Sequence, residues 1–383
     1  MTRFLSNTFK EFAASGKAGG TVLILCTLVS LLLANSPLGG QYLHFWHRPF
    51  AGLTVENWVN DALMAVFFLL IGLELERELV DGELSEPKNA LLPVMAAAGG
   101  IVVPALIHFG LNQGTPTQAG LGIPMATDIA FALGVLALLG SRVPASLKVF
   151  LTALAVMDDL GAIVVIALFY TAEVSIGWLA AALAVFVLLV LLNRMGRVMA
   201  LAPYLLGGVL MWFCMLKSGV HATIAGVLLA FAIPHPARLE HLLHKPVAFL
   251  VLPIFALANT GVTIGADWAQ GLLASNSLGI ALGLGAGKPV GIVLASFAAV
   301  SFGLCRLPSG LAWRHVIGAG LLGGIGFTMS IFITKLAFPG EAGVVNASKM
   351  AILVASLASG VAGFTWLRLG GAAAGDPQGR RAA

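Results

Sequence analysis

Charge is what this chain of 383 residues lacks most: Asp, Glu, Lys and Arg make up 10% of it, against about a quarter in a soluble protein. So few polar side chains cannot cover a fold in water, which excludes an ordinary soluble domain and makes the membrane the solvent. Cysteine is scarce as well. Cys26, Cys214 and Cys305 sit within or at the edge of apolar runs, with no CxxC spacing and no even framework. That excludes a zinc ribbon and a disulfide scaffold and leaves three small apolar residues. No connection between apolar runs is long enough for a separate soluble domain. The net charge of +4 is not gathered into a patch that would bind nucleic acid. The basic residues stand singly at the ends of apolar runs, where they signal topology instead.

What the chain does have is apolar runs of membrane length, about 20 helical residues each. Twelve are expected, near 18–35, 57–79, 89–112, 117–140, 146–171, 175–194, 198–217, 219–234, 245–264, 276–301, 313–337 and 345–368. The eighth is short. The first follows Arg3, Lys10 and Lys17 and is not succeeded by a small-x-small cleavage site, so it reads as a retained helix and not a signal peptide. Residues 1–370 read as one transmembrane domain, and 371–383 as a disordered cytoplasmic tail. With the N-terminus inside, sixteen Lys and Arg fall on the cytoplasmic face. Arg48, Lys217, Lys335 and Lys349 fall on the other, and Lys288, the last of the 21, is stranded within a span. That bias supports twelve spans with both termini cytoplasmic.

Two spans are interrupted. The fourth carries Gly120, Gly122 and Pro124 before Thr127 and Asp128. The eleventh carries Gly318, Gly320, Gly323, Gly324 and Gly326 before Thr328 and Ser330. Each is the middle member of a three-helix group, spans 3–5 and 10–12. Paired breaks at corresponding positions of two halves point to a transporter site at the bilayer midplane, since freed backbone groups survive in lipid only where they face protein or a cavity. The alternative is glycine serving close helix packing. That suits Gly279, Gly283 and Gly287, four residues apart, better than it suits Pro124.

Asp128, Asp158, Asp159 and Lys288 fall near span centres, where each costs about 2.5–3.5 kcal/mol. A buried ion pair fixing helix register could account for Lys288 with one aspartate, but not for the other two. Asp158 and Asp159 point roughly 100° apart on their helix, so one can face a partner helix while the other faces an aqueous cavity. Two carboxylates this close in low dielectric cannot both ionise cheaply. Such a site takes either a proton or a small hard cation such as Na+ or Li+, and competition of two cations for one site is the chemical core of antiport. Asp128 and Thr127, beside the break, either supply further oxygens or compensate opposed half-helix dipoles. Lys288 is either the counter-charge to Asp158 or itself a proton carrier. This chemistry needs no cofactor and no covalent catalysis, so an enzyme is not expected.

A second constellation lies at the ends of spans 2 and 9. Glu74, Arg77 and Glu78 share a helical face, with Glu76, Asp81, Glu83 and Glu86 nearby. Arg238, Glu240, His241, His244 and Lys245 precede span 9. This is either a cation-attracting, pH-sensitive funnel or an ordinary solvated helix end. A metal pair of His241 and His244 lacks further ligands placed with it, and His221 reads as a packing residue.

The stretches FFLLIGLELERELVDG (67–82), PMATDIAFALGVL (124–136), FLTALAVMDDLGAIVVIALFYT (150–171), SGVHATIAGV (218–227), ARLEHLLH (237–244), FALANTGV (255–262), GKPVGI (287–292) and GGIGFTMSIFI (323–333) resemble, in order, the NhaA family of bacterial Na+/H+ antiporters. That family is itself among the examples behind the inverted-repeat rule. The resemblance implies an all-α membrane protein of the bacterial inner membrane. It would have twelve transmembrane helices, inverted repeats in helices 3–5 and 10–12, and crossed broken helices 4 and 11. It also implies electrogenic exchange of Na+ or Li+ for a larger number of protons, switched on at alkaline pH. Asp159 would be the principal cation ligand, with Asp158 beside it, Asp128 and Thr127 at the crossing and Lys288 as pairing lysine. Glu74, Arg77, Glu78, Glu240 and His241 would carry the pH response, and Asp61 and His221 supporting roles. Two departures stand out. Members carry a β-hairpin between helices 1 and 2 that joins a homodimer, whereas 37–56 is shorter and rich in aromatics and proline. Glu76 also replaces an expected basic residue.

Three rivals remain. An intramembrane aspartyl protease also needs two aspartates, but there is no GxGD sequence and little use for Lys288. A cation channel would not need an acid–amine pair that traps the ion. A sodium-coupled carrier of an organic solute is the nearest alternative, and it would need a roomier, more polar site.

Overall fold

The structure, a computed structural model, describes residues 2–82, 85, 87–171, 174–196, 200–234, 236–265 and 268–371. Long apolar runs leave the backbone to satisfy its own polar groups, which in lipid favours helices. Helices α1 (Thr2–Ala34) and α2 (Gly39–His47) are followed by strands β1 (Pro49–Phe50) and β2 (Leu53–Thr54). Then come α3 (Val55–Val80), α4 (Pro87–Asn112), a 3-10 arm (Pro116–Met125) and α5 (Ile129–Leu138). Next are α6 (Ala145–Phe169), α7 (Ile176–Arg194), α8 (Leu201–Ser218) and the short α9 (Ile224–Ala230), then α10 (Pro236–Asn259). The described chain ends with α11 (Trp268–Leu273), α12 (Ser275–Ser301), α13 (Trp313–Gly323), α14 (Phe327–Ala337) and α15 (Ala342–Gly371). Glu83, Glu86, Arg197 and the expected tail beyond Gly371 lie outside the described residues.

Among the described residues, eight helices are long and apolar enough to cross a membrane, and up to eleven spans result if each of three bent pairs counts as one. The expected span 219–234 is not one of them, because only Ile224–Ala230 is helical there. Gly219, at φ 82°, stops α8, and tight turns close both ends of α9 through Ile224 N to His221 O and Ala232 N to Leu229 O. The distribution of polarity is that of a membrane protein. Leu206 is 73% and Leu168 72% exposed, while Asp158 and Lys288 are 0%, the reverse of what water would select.

The segment 37–56, shorter than the family's hairpin region, still forms a short hairpin. Pro49 pairs with Thr54 and Phe50 with Leu53 around Ala51 and Gly52 at φ 48° and 88°, the primed turn that suits a two-residue loop. Trp58 Nε1 donates to Phe50 O at 2.8 Å and pins it.

Glycine spacing on α12 serves close approach to α4. A Cβ on Gly279 would meet His108 and Asn112, one on Gly283 would meet Pro124, and one on Gly287 would meet Pro104. Gly99 and Gly291 face each other so closely that a Cβ on either would strike the other's carbonyl oxygen. Overpacking of this kind costs about 1–3 kcal/mol. Gly99→Val is therefore expected to lower the melting temperature of detergent-purified protein. Gly40→Ala, whose Cβ would meet nothing within 4 Å, should leave it unchanged. Equal melting of the two variants would contradict this reading of the crossing.

Candidate ion-binding site

The fourth and eleventh expected spans are both bent. The 3-10 arm meets α5 at 41°, and α13 meets α14 at 45°. They touch at their breaks. Asp128 N donates to Ile325 O at 2.6 Å, Thr127 Oγ1 reaches Gly323 O at 2.8 Å, and Ser330 Oγ donates to Ile123 O at 2.7 Å. Each bond supplies a partner to a backbone group that the broken helix cannot satisfy itself. Gly324 lets α12 approach the same break, since a Cβ there would strike Leu284 O.

Asp128 caps α5. Its Oδ1 accepts from Phe131 N at 3.0 Å, while Oδ2 accepts from Thr328 N at 3.1 Å and from Thr328 Oγ1 at 2.5 Å. One carboxylate thus faces the N-terminal ends of two half-helices, where the peptide dipoles favour an anion.

From the other side α6 brings Asp158 and Asp159. Asp158 Oδ2 accepts from Thr127 Oγ1 at 2.7 Å and pairs with Lys288 Nζ, both side chains being 0% exposed. Lys288 also donates to Thr127 Oγ1 at 2.8 Å. The threonine hydroxyl has a single proton, so it serves either Asp158 or Gly323 O at one time. Lys288 follows a π-helical turn, Gly283–Gly287, a distortion that often accompanies functional sites.

Asp159 is different. It is 1% exposed, and among the described residues neither of its carboxylate oxygens has a hydrogen-bond partner, nor does Asp158 Oδ1. Asp158, Glu74 and Asp128 act on it electrostatically, against the single amine of Lys288. Buried oxygens without donors are costly, and a proton or a small hard cation relieves that cost.

A second cluster joins α3 to α10. Arg77 Nε donates to Glu240 Oε1 at 3.0 Å, and its Nη2 lies 3.1 Å from Glu78 Oε1. His244 Nε2 lies 3.5 Å from Glu74 Oε1 and 3.7 Å from Glu240 Oε1. The fold therefore brings Glu74, Arg77, Glu78 and Glu240 together, but with His244 and not His241, which is exposed. Nor does it build a metal pair from His241 and His244. The ligand atoms that converge, within 4.8 Å of one another, belong to Glu74, Glu240 and His244, and Arg77 already lies on Glu240. Glu76 keeps a buried oxygen, Oε2, without a partner among the described residues. His221 packs against Phe332, ring centroids 5.4 Å apart. Asp61 accepts from Trp212 Nε1 through its carbonyl at 2.9 Å.

Sequence reasoning passed over Tyr170. Its hydroxyl accepts from Gly122 N at 3.1 Å and donates to Ala119 O at 2.7 Å, tying the end of α6 to the arm. The one available signal was rarity, since the chain has three tyrosines. The pairing of Glu56 with Lys335 is likewise invisible in the sequence, since the two lie in different spans with no local pattern joining them.

Apolar helices enclosing an acid–amine cluster where two broken helices cross define a polytopic membrane carrier. The chain matches the family model described as Na+/H+ antiporter 1 over residues 10–367. It is 69% identical over 373 residues to the Na(+)/H(+) antiporter NhaA of Dechloromonas aromatica, covering 95% of this chain and 96% of that protein. It is 56% identical over 372 residues to Na(+)/H(+) antiporter NhaA 1 of Flavobacterium johnsoniae, covering 95% and 97%. The chain belongs to the NhaA family of Na+/H+ antiporters.

Proposed function

We infer that this chain exchanges Na+ or Li+ for protons across the bacterial inner membrane, with the two cations competing for Asp159. The observation that carries this reading is the pair of buried Asp159 oxygens without donors among the described residues, in a chain of this family. Asp158 lies beside it with Lys288 as counter-charge, while Asp128 and Thr127 hold the crossing together. An empty Asp159 is too costly to carry past apolar side chains, whereas a loaded one is cheaper. That difference couples the two fluxes, and an exchange of one Na+ for more than one proton is electrogenic. The architecture is read as twelve crossings with both termini cytoplasmic, the eighth being the short α9, and as two inverted three-helix repeats around the broken helices.

The pH response is assigned to Glu74, Arg77, Glu78 and Glu240, with His244 in the place expected of His241. When protonated, His244 bridges Glu74 and Glu240 and holds α10 to α3. When it loses its proton, three carboxylates face one guanidinium and the junction loosens, which matches activation at alkaline pH.

The test uses everted membrane vesicles with an acid interior. Addition of Na+ is expected to collapse the pH gradient, more strongly near about pH 8 than about pH 6.5, the range across which histidine loses its proton. No Na+-dependent collapse at any pH, with the protein present in the membrane, would sink this reading in favour of a sodium-coupled solute carrier.

A further inference from the structure

One face of α14 runs from the exchange site toward the opposite membrane surface from the Glu74–Arg77 cluster. Thr328, Phe332 and Lys335 stand at i, i+4 and i+7 and so share that face, spanning about 10 Å of helix. At its inner end Thr328 holds Asp128 at 2.5 Å. In the middle Phe332, 0% exposed, sits among Phe68, His221 and Phe255, with ring centroids 5.6, 5.4 and 6.4 Å away. At the outer end Lys335 Nζ meets Glu56 Oε1 at 2.5 Å, and the Glu56 side chain is only 7% exposed. His47 Nε2 lies 3.6 Å from the other Glu56 oxygen. Buried Lys349 of α15 lies close enough to feel the charges of both Glu56 and Lys335.

The layers do different work. The rings pack apolar surface beyond Thr328. The ion pair joins α14, half of a broken helix that carries the site, to the start of α3, which carries the acidic cluster at its other end. An ion pair with one buried partner, Glu56, and one half-buried, Lys335 at 26% exposed, suits a contact that must break and re-form. Its attraction is nearly offset by the hydration its partners give up, so when water enters, hydration returns much of what separation costs. An apolar contact has no such compensation.

We propose that Glu56 and Lys335 form a gate latch on the face opposite the Glu74–Arg77 cluster, holding the carrier open toward that cluster and releasing when Asp159 is presented to the other side. The latch rests on the exchange function and orientation inferred above. It is a positioning pair, touching no transported ion.

The test is uptake of radiolabelled Na+ by everted and right-side-out vesicles, which offer the ion to the cluster face and to the latch face. Removing the Glu56 charge shifts the population away from the cluster-open state, and apparent affinity scales with the competent fraction. Glu56→Gln is expected to raise the KM for Na+ on the cluster face about tenfold and to lower it on the latch face. Glu56→Asp, which keeps the charge, should stay within about twofold on both by the same relation. A merely structural defect would move both KM values the same way. Should Glu56→Gln not accumulate, Lys335→Gln is measured in its place with the same expectation. Unchanged KM values, parallel changes on both faces, or loss of turnover at wild-type protein level would overturn the latch. So would failure of both variants to insert, which would make the pair a folding contact. Wild-type vesicles without Na+ uptake on either face would sink the exchange reading itself.

Discussion

Asp159→Asn, inserted at the wild-type level in everted vesicles, is expected to show no Na+-dependent collapse of an imposed pH gradient. The amide has the shape of the acid but can neither take up the transported proton nor offer a full negative charge to the cation. Asp159 is 1% exposed, and neither of its oxygens has a hydrogen-bond donor among the described residues, so its charge is the one not already engaged by a donor and left for the cation. Removing one partner of a buried charge pair costs about 3–5 kcal/mol. At about 1.4 kcal/mol per factor of ten, that is a loss of more than about a hundredfold in cation binding. Stability should not fall with it. Replacing one acid of a group that also holds Asp158, Glu74 and Asp128 relieves repulsion, so the purified variant is expected to melt no lower than wild type. Inactive protein with intact melting would assign the loss to the ion site. Wild-type collapse of the gradient by this variant would remove Asp159 from the mechanism.

The largest expected effect on stability belongs to its neighbour. Asp158 and Lys288 are both 0% exposed, and the remaining donor–acceptor contact of the ammonium is the Thr127 hydroxyl at 2.8 Å. Asp158→Asn leaves that ammonium buried without its direct ion-pair partner and is expected to destabilise the protein by about 3–5 kcal/mol, whereas replacing both members of such a pair is often close to neutral. Thus Asp158→Asn and Lys288→Gln should each lower the melting temperature substantially, and the double variant should recover most of the loss. Destabilisations that simply add would mean that the two side chains are not coupled. The same double variant decides the role of the lysine. If Lys288 only balances Asp158, gradient collapse by Na+ survives in the double variant. If it carries a proton, the double variant loses proton-coupled exchange while remaining folded.

Much of the architecture could be read before any coordinates. Ten per cent charge and repeated apolar runs force a membrane-embedded helical chain, because no other solvent tolerates that composition. The breaks at Pro124 and at the glycines before Thr328 were visible for the same reason: glycine and proline disturb helices through their own covalent structure. The hairpin at 49–54 is hard to read from the sequence, because two residues per strand leave almost no pattern. The eighth apolar run, 219–234, exceeds its helix Ile224–Ala230, because apolar composition does not reveal where turns shorten a helix.

Which residues are expensive can be read from the chain before it folds. Asp128, Asp158, Asp159 and Lys288 stand out in an apolar background because a charge in hydrocarbon costs free energy wherever the chain takes it. Tertiary structure alone decided how that cost is met. Asp128 is answered by two helix N-termini, Asp158 by Lys288 and Thr127, and Asp159 by no donor among the described residues. It also chose His244 over His241, three residues apart on one helix, and joined Glu56 to Lys335 across the fold. Composition is a property of each residue, but partnership depends on which faces of distant helices meet, and that is settled only when the whole bundle packs.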